Sequence, residues 1–401
     1  MKKLISFWIA KLPKKKWAAF CVLFLAALAY CHSSFIFVYE IENGHLSGAM
    51  YPMMEESWDH PRLKKLAEDE HLLQVIFPGA TEFEKILLLR KWTRSQWNGD
   101  GKPFYYPPWD AIEILRLARS YGNKAFCAQY AIVFLQSCLA VGIPARYVDL
   151  PGHFVVEIWS NEYNKWVIMD PTRDVHFRKG EDALDGIDLC NAYWRDRWQD
   201  IYKVDSNRTP TPIVKEDIAV YRDYSILLHN DQLTLPMVLS VNGQERVMTL
   251  EKDYQTYPHL SRDKVGFSAN IIGWSQEGQN GQSPGKSRST DPDDFRFFMN
   301  QVVIDVVSKN SENGQIKLAF RGSNSTSFQS FMLMKDDSGI WRESAPNVIY
   351  PLAPGVNCIS VRVKTRFGRV GKRAYVRIYY KKNWFNNIFA NPQDTVLYSK
   401  T

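Results

Sequence analysis

Cys127, His153 and Asp170 are the residues whose types and spacing support chemistry. Cys127 stands in Gly122-Asn123-Lys124-Ala125-Phe126-Cys127-Ala128, at the head of an almost wholly apolar stretch running to Val141. A thiol at a helix N-terminus feels the positive end of the helix dipole and unpaired backbone N–H groups, and both stabilise a thiolate. No Ser or Thr precedes it as a cap, although Asn123 is placed to act as one, so N–H groups remain for an oxyanion. His153 begins one extended run, 153–159, and Asp170 ends another, 165–170, with a polar turn over 160–164 between them. The two runs pair as an antiparallel hairpin. With Trp159 opposite Asn164, His153 falls opposite Asp170, which sets their Cβ atoms about 5 Å apart and lets a carboxylate orient an imidazole. A nucleophile, a base and an orienting acid on three separate elements are what thiol acyl transfer requires.

The elements that must position these groups are legible around them. Thr81 with Glu84 forms a capping box ahead of Phe83, Ile86 and Leu87, in a helix that stops at Asn98-Gly99. Asp110 with Glu113 opens a second helix, closed by Gly122. The third runs from Cys127 to Val141 with almost no polar face, so it is buried, and Gly142-Ile143-Pro144 ends it. Extended runs 145–150, 153–159 and 165–170 follow, rich in Val, Ile, Phe and Trp, and then a helical stretch over 189–202. Cys138 reads as an inert core thiol and Trp166 as core, while Asp174 and His176 read as surface residues.

Four blocks in order carry a family resemblance: Cys127-Ala128-Gln129-Tyr130-Ala131, Gly142-Ile143-Pro144-Ala145-Arg146, His153-Phe154-Val155-Val156-Glu157 and Trp166-Val167-Ile168-Met169-Asp170-Pro171-Thr172. Over about residues 80–175 the chain resembles the transglutaminase-like superfamily of papain-type thiol enzymes. The resemblance implies an α+β core with Cys127 as nucleophile, His153 as general base and acid, and Asp170 as orienter. Trp97, Asn98 and Tyr121 lie upstream as candidates for the second oxyanion donor, and Trp97 is the favoured one. The implied activity is acyl transfer on a carboxamide or peptide of a protein substrate, as amidase, protease or transamidase, with no metal or organic cofactor required. A rival reading treats the fold as an inactive scaffold, or a polysaccharide-linked accessory factor, whose β modules bind a partner. Val155, where the family usually has Trp, motivates that rival.

The chain has 401 residues with formal charge +7, enough for two or three domains. The charge is uneven, with six lysines and no acid over residues 1–16 and ten Lys/Arg against Asp394 alone over 351–401. The mildly acidic middle is a poor surface for nucleic acid, whose binding rests on neutralised phosphates. From Trp17 to Tyr39 no residue is charged other than His32, and at helical rise that run reaches about 35 Å, enough to cross a bilayer. Lysines before it and Glu40 and Glu42 after it keep the N-terminus cytoplasmic and export the bulk as a single-pass membrane protein, in a periplasmic or extracellular setting. Ala27-Leu28-Ala29 offers the alternative of a cleaved signal peptide.

The six cysteines form no disulfide framework or metal spacing. The predicted organisation is a leader and anchor over 1–40, the thiol-enzyme core over 50–205, a linker at 206–212, a β-rich module over 213–305 and an immunoglobulin-like β module over 306–385. In the last, Ile359, Val361 and Val363 alternate with Arg362, Lys364 and Arg366, and that basic stripe is a candidate surface for an anionic polymer or lipid.

Overall fold

The computed structural model of the chain describes residues 19, 21–25, 30, 32–46, 53–103, 106–235, 238–241, 244–247, 265–267, 271–275, 287–323 and 325–383. Strand β1 (Phe35–Glu42) comes first, followed by helices α1 (Pro61–Asp69), α2 (Leu72–Ile76), α3 (Glu82–Arg94), α4 (Ala111–Tyr121) and α5 (Cys127–Ala140). The caps work as the sequence indicates. Thr81 Oγ1 accepts from Glu84 N at 3.2 Å, and Asp110 Oδ1 accepts from Ile112 N at 2.9 Å.

The helices cover one face of a ten-stranded sheet. At its centre are β2 (Ala145–Leu150), β3 (His153–Ser160) and β4 (Lys165–Asp170), joined antiparallel. Beyond β4 the sheet continues through β5 (Val175–Lys179), β6 (Ile201–Asp205) and β7 (Pro210–Pro212). Helix α6 (Gly186–Trp194) packs on the opposite face, over a second core that includes Val155, Ile168, Phe177 and Leu189.

Two sequence boundaries move. The helical stretch expected over 189–202 is α6 followed by β6, and the expected linker ends in β7, an edge strand. Prolines fit there because an edge strand can spare their missing N–H groups. Within the segment 213–305 the described strands divide: 238–241, 244–247 and 265–267 form a three-stranded sheet of their own, and three others join the core sheet. Strands β8 (Ser225–Leu227), β9 (Ile271–Trp274) and β10 (Ser287–Ser289) extend the same sheet, β8 pairing directly with β2. The apolar residues of β8 and β9 join the cores on the two faces of that sheet.

The C-terminal unit is a β-sandwich, as the alternation in its sequence predicts. One sheet contains β11 (Gln301–Asn310), β12 (Gln315–Ser323) and β15 (Asn347–Pro351). The other orders β1, β17 (Ala374–Lys381), β16 (Gly355–Thr365), β13 (Phe328–Lys335) and β14 (Trp341–Ser344). Ile304, Leu318, Ile359, Val361, Val363 and Ile378 fill the space between. Residues 35–39, which the sequence reading assigned to a membrane span, are therefore sandwich strand paired to β17. An extended apolar run flanked by charge satisfies a strand as readily as a span.

The rest of the predicted span lies largely outside the described residues. Among those described, no helix is long and apolar enough to cross a membrane. The basic stripe has partners within the chain: the Arg362 guanidinium lies 4.0 Å from the Trp341 ring, Lys364 pairs with Glu343 at 3.3 Å, and Arg366 lies 5.3 Å from the Trp58 ring.

The sandwich meets the core at the end of α5. Ile143 N donates to Cys138 O and Gly142 N to Leu139 O, both at 2.9 Å, a Schellman closure that needs a left-handed residue at Gly142. Gly142 has φ +75°, and a Cβ there would sit 2.1 Å from the Phe367 ring on the turn between β16 and β17. Arg369 on that turn pairs with Glu82 at 3.1 Å. Gly122 also has positive φ, +61°, but faces open space. Gly142→Ala should therefore lower the thermal midpoint at least twice as far as Gly122→Ala, which carries only the left-handed strain of about 1–2 kcal/mol. Equal drops would show that Phe367 yields without cost.

Candidate active site

Cys127 is the first residue of α5, and all fourteen residues of that helix are buried. Phe126 at the cap offers no side-chain acceptor; instead Gln129 Oε1 accepts from Phe126 N at 3.2 Å. The first-turn N–H groups of Cys127 and Ala128 carry no hydrogen bond among the described residues. They are the donors that an uncapped N-terminus leaves over.

His153 opens β3 directly after the turn Pro151-Gly152. Leu150 pairs with His153 across it, and Gly152 has φ +74°. The β3–β4 register differs from the predicted one. Trp159 pairs with Trp166, and Ser160 with Lys165, because Asn164 takes φ +52° and belongs to the turn rather than the ladder. His153 is thus displaced by two residues from the position opposite Asp170. A slip of two keeps both side chains on the same face, where a slip of one would separate them. The diagonal distance in such a pair, about 7–8 Å, is within reach of a long side chain. His153 Nε2 and Asp170 Oδ2 are 2.7 Å apart.

Asp170 is 1% exposed and its other oxygen accepts from Thr172 N at 3.0 Å and Arg173 N at 3.1 Å. Burial would raise its pKa, but the His153 bond and charge, with help from Arg173, hold it below the ordinary 3.8. An ionised carboxylate only accepts, so Nε2 of His153 must carry the proton in that bond. Nδ1 is then the nitrogen available to the thiol. Burial works against a charged imidazole, yet the hydrogen bond to Asp170, together with the neighbouring Cys127, outweighs it and raises His153 to about 9. The three predicted groups therefore meet in one place.

Trp97 is differently engaged. It is buried, packs with its ring tilted against Tyr130 at 4.6 Å between ring centroids, and its indole N–H donates to Asn123 O at 3.3 Å. The oxyanion donor sought from it is already committed. Asp174 and His176 are not surface residues that match nothing; both bind the fully buried Arg90. Its Nε donates to Asp174 Oδ1 at 2.9 Å, and its Nη1 lies 2.9 Å from His176 Nδ1 and 3.4 Å from Met169 Sδ. His176 is lowered to about 3, by burial first and then by the Arg90 charge, so it stays neutral. Arg90 shares the buried face of α3 with Phe83, Ile86 and Thr93. A charged residue on an apolar stripe was the available signal for this knot.

Cys138, as predicted, is a core thiol. It is fully buried, and burial pushes its pKa far above the ordinary range. Cys127 and His153 are each 8% exposed, a narrow opening. Two cavities of about 710 and 700 Å³ lie elsewhere and are lined by none of the three site residues.

The His153–Asp170 pair makes stability depend on pH. His153 rises from 6.5 to about 9 on folding, so its contribution is complete below about pH 6.5 and is lost as pH rises through 9. Asp170 is shifted down from 3.8, so its share is lost as pH falls below about 4. His153 should titrate near 9 by NMR and move downward in Asp170→Asn. The alkaline loss of stability, of order 3 kcal/mol for a shift of this size, should shrink in that variant. Titration near 6.5 in the native protein would contradict the pairing.

Residues 73–171 match a family model described as the transglutaminase-like superfamily. No curated protein matches the chain. Among solved structures, a crystal structure of red sea bream transglutaminase aligns at 10% identity over 82% of this chain and 76% of that one, with a TM-score of 0.21. The matched segment opens within α2 and closes one residue beyond Asp170, so it contains the whole Cys127, His153 and Asp170 constellation. Through residues 73–171 the chain carries a core of the transglutaminase-like superfamily.

Proposed function

We propose that this chain is a thiol acyl-transfer enzyme acting on a carboxamide or peptide bond. The observation that carries the reading is the 2.7 Å contact of His153 with a buried Asp170, beside Cys127 at the uncapped start of α5. In the proposed cycle the Cys127 proton rests on His153 before attack, and the Cys127 thiolate adds to the carbonyl carbon. The resulting tetrahedral intermediate places its oxyanion at the first turn of α5. As the C–N bond breaks, His153 returns the proton to the leaving nitrogen and a thioester forms on Cys127. Water attacking the thioester gives hydrolysis, and a primary amine gives transamidation. Asp170 keeps Nε2 protonated and holds the ring in place.

The lysine-rich leader and the uncharged stretch after it support an extracytoplasmic setting, with residues 17–34 as the anchor. The inactive-scaffold reading is favoured by one observation, the 8% exposure of both Cys127 and His153.

The two readings separate on an assay of ammonia release from, or fluorescent-amine incorporation into, a glutamine-containing protein. Cys127→Ala should abolish both, His153→Ala should come close to doing so, and Asp170→Asn should retain more activity than either, since a mis-set imidazole still works. Activity surviving in Cys127→Ala would rule out the acyl-enzyme.

A further inference from the structure

Tyr106 carries a buried hydroxyl whose proton the cycle above does not use. The residue is 2% exposed and precedes α4. Its Oη accepts from Trp109 Nε1 at 3.2 Å. An indole nitrogen only donates, so this bond occupies a lone pair of Tyr106 and leaves its own O–H to be given elsewhere. Among the described residues no acceptor takes that proton.

The position is specific. The Tyr106 ring packs 6.2 Å from that of Phe126, the residue before Cys127. Trp109, which fixes the hydroxyl, packs edge-on 5.4 Å from Phe154, the residue after His153, and 5.0 Å from Tyr147. The Tyr106–Trp109 pair thus bridges the helix that carries the nucleophile and the strand that carries the base. Burial above all, with the nearness of Cys127 adding to it and the Trp109 bond opposing it, pushes the Tyr106 hydroxyl up to about 12. It stays protonated throughout the neutral range.

Building on the acyl-transfer reading, we infer that Tyr106 is a catalytic residue, the side-chain donor to the oxyanion formed when Cys127 attacks a carbonyl. As the C–S bond forms, the carbonyl π pair moves onto oxygen, and Tyr106 O–H and the free first-turn N–H groups of α5 hydrogen-bond to it. No proton is transferred at that oxygen, and the pair returns to carbon when the leaving group departs. Trp109 is a positioning residue, since its indole occupies the lone pair of Tyr106 and turns the O–H toward the site. The assignment supplies the donor that Trp97 does not.

The test compares two reactions of Cys127 in the full-length protein. Acylation by 4-nitrophenyl acetate passes through an oxyanion, and alkylation by iodoacetamide does not. Tyr106→Phe should slow Cys127-dependent release of 4-nitrophenolate about 10²–10³-fold, the usual effect of losing one oxyanion donor, and leave alkylation within about twofold. Trp109→Phe keeps the hydroxyl but frees its orientation, and should give a smaller fall in acylation, again with alkylation preserved. Unchanged acylation in both variants would overturn the assignment, as would acylation and alkylation falling together, which marks a structural ring. If the native protein shows no Cys127-dependent acylation at all, the acyl-transfer reading itself fails and the oxyanion role goes with it.

Discussion

The burial of α5 on every side constrains the rest of the structure. Its fourteen residues lie between the other helices and the sheet, so neither end is free to shift. The C-terminal end is closed by Gly142, on which Phe367 of the sandwich rests. The N-terminal end therefore falls at a set place, beside the start of β3 and the end of β4. A buried helix end without a side-chain cap is ordinarily a fault, because its N–H groups have lost water and gained nothing. Here the unspent donors coincide with a thiol, an imidazole and a phenol, which is where developing negative charge would make use of them.

Two buried histidines show how the same physics gives opposite outcomes a short distance apart. Burial disfavours the charged form of both. His153 gains a carboxylate at 2.7 Å and is raised to about 9. His176, paired across the ladder with Met169 beside Asp170, meets the Arg90 guanidinium instead and is lowered to about 3. The neutral ring serves packing and the charged one serves the site. Arg90 links α3 to Met169 on the strand bearing Asp170, to Asp174 in the turn after it and to Val204 on β6, so the helical layer and the sheet are pinned together beside the orienting acid.

Much of this was legible in the sequence. The caps at Thr81 and Asp110, the start of α5 at Cys127 and the bounds of β2 and β4 follow from local patterns that act within a few residues. The meeting of His153 with Asp170 was readable from parity even though the register was off by two, because an even slip preserves the face. What escaped reading depends on long-range pairing. No local signal joins residues 35–39 to β17, or β8 to β2, since strands of similar composition have many possible partners. Asp174 and His176 looked exposed because their partner, Arg90, lies more than eighty residues away in sequence. Tyr106 gave no sign either, as an aromatic before a capped helix is ordinarily just core.

The central claim is that Cys127 is a working nucleophile and not a buried thiol like its neighbours. Its most direct test is competitive alkylation of the intact protein with iodoacetamide near neutral pH, followed residue by residue by mass spectrometry. Burial pushes Cys190 up to about 12 and Cys138 higher still, so neither should react at an appreciable rate. Cys127 should be modified first, ahead of Cys138, Cys190 and Cys358, and its rate should fall when His153 is replaced by Ala. Modification of Cys127 no faster than that of Cys138, or a rate indifferent to His153, would contradict the account and leave the fold as a scaffold.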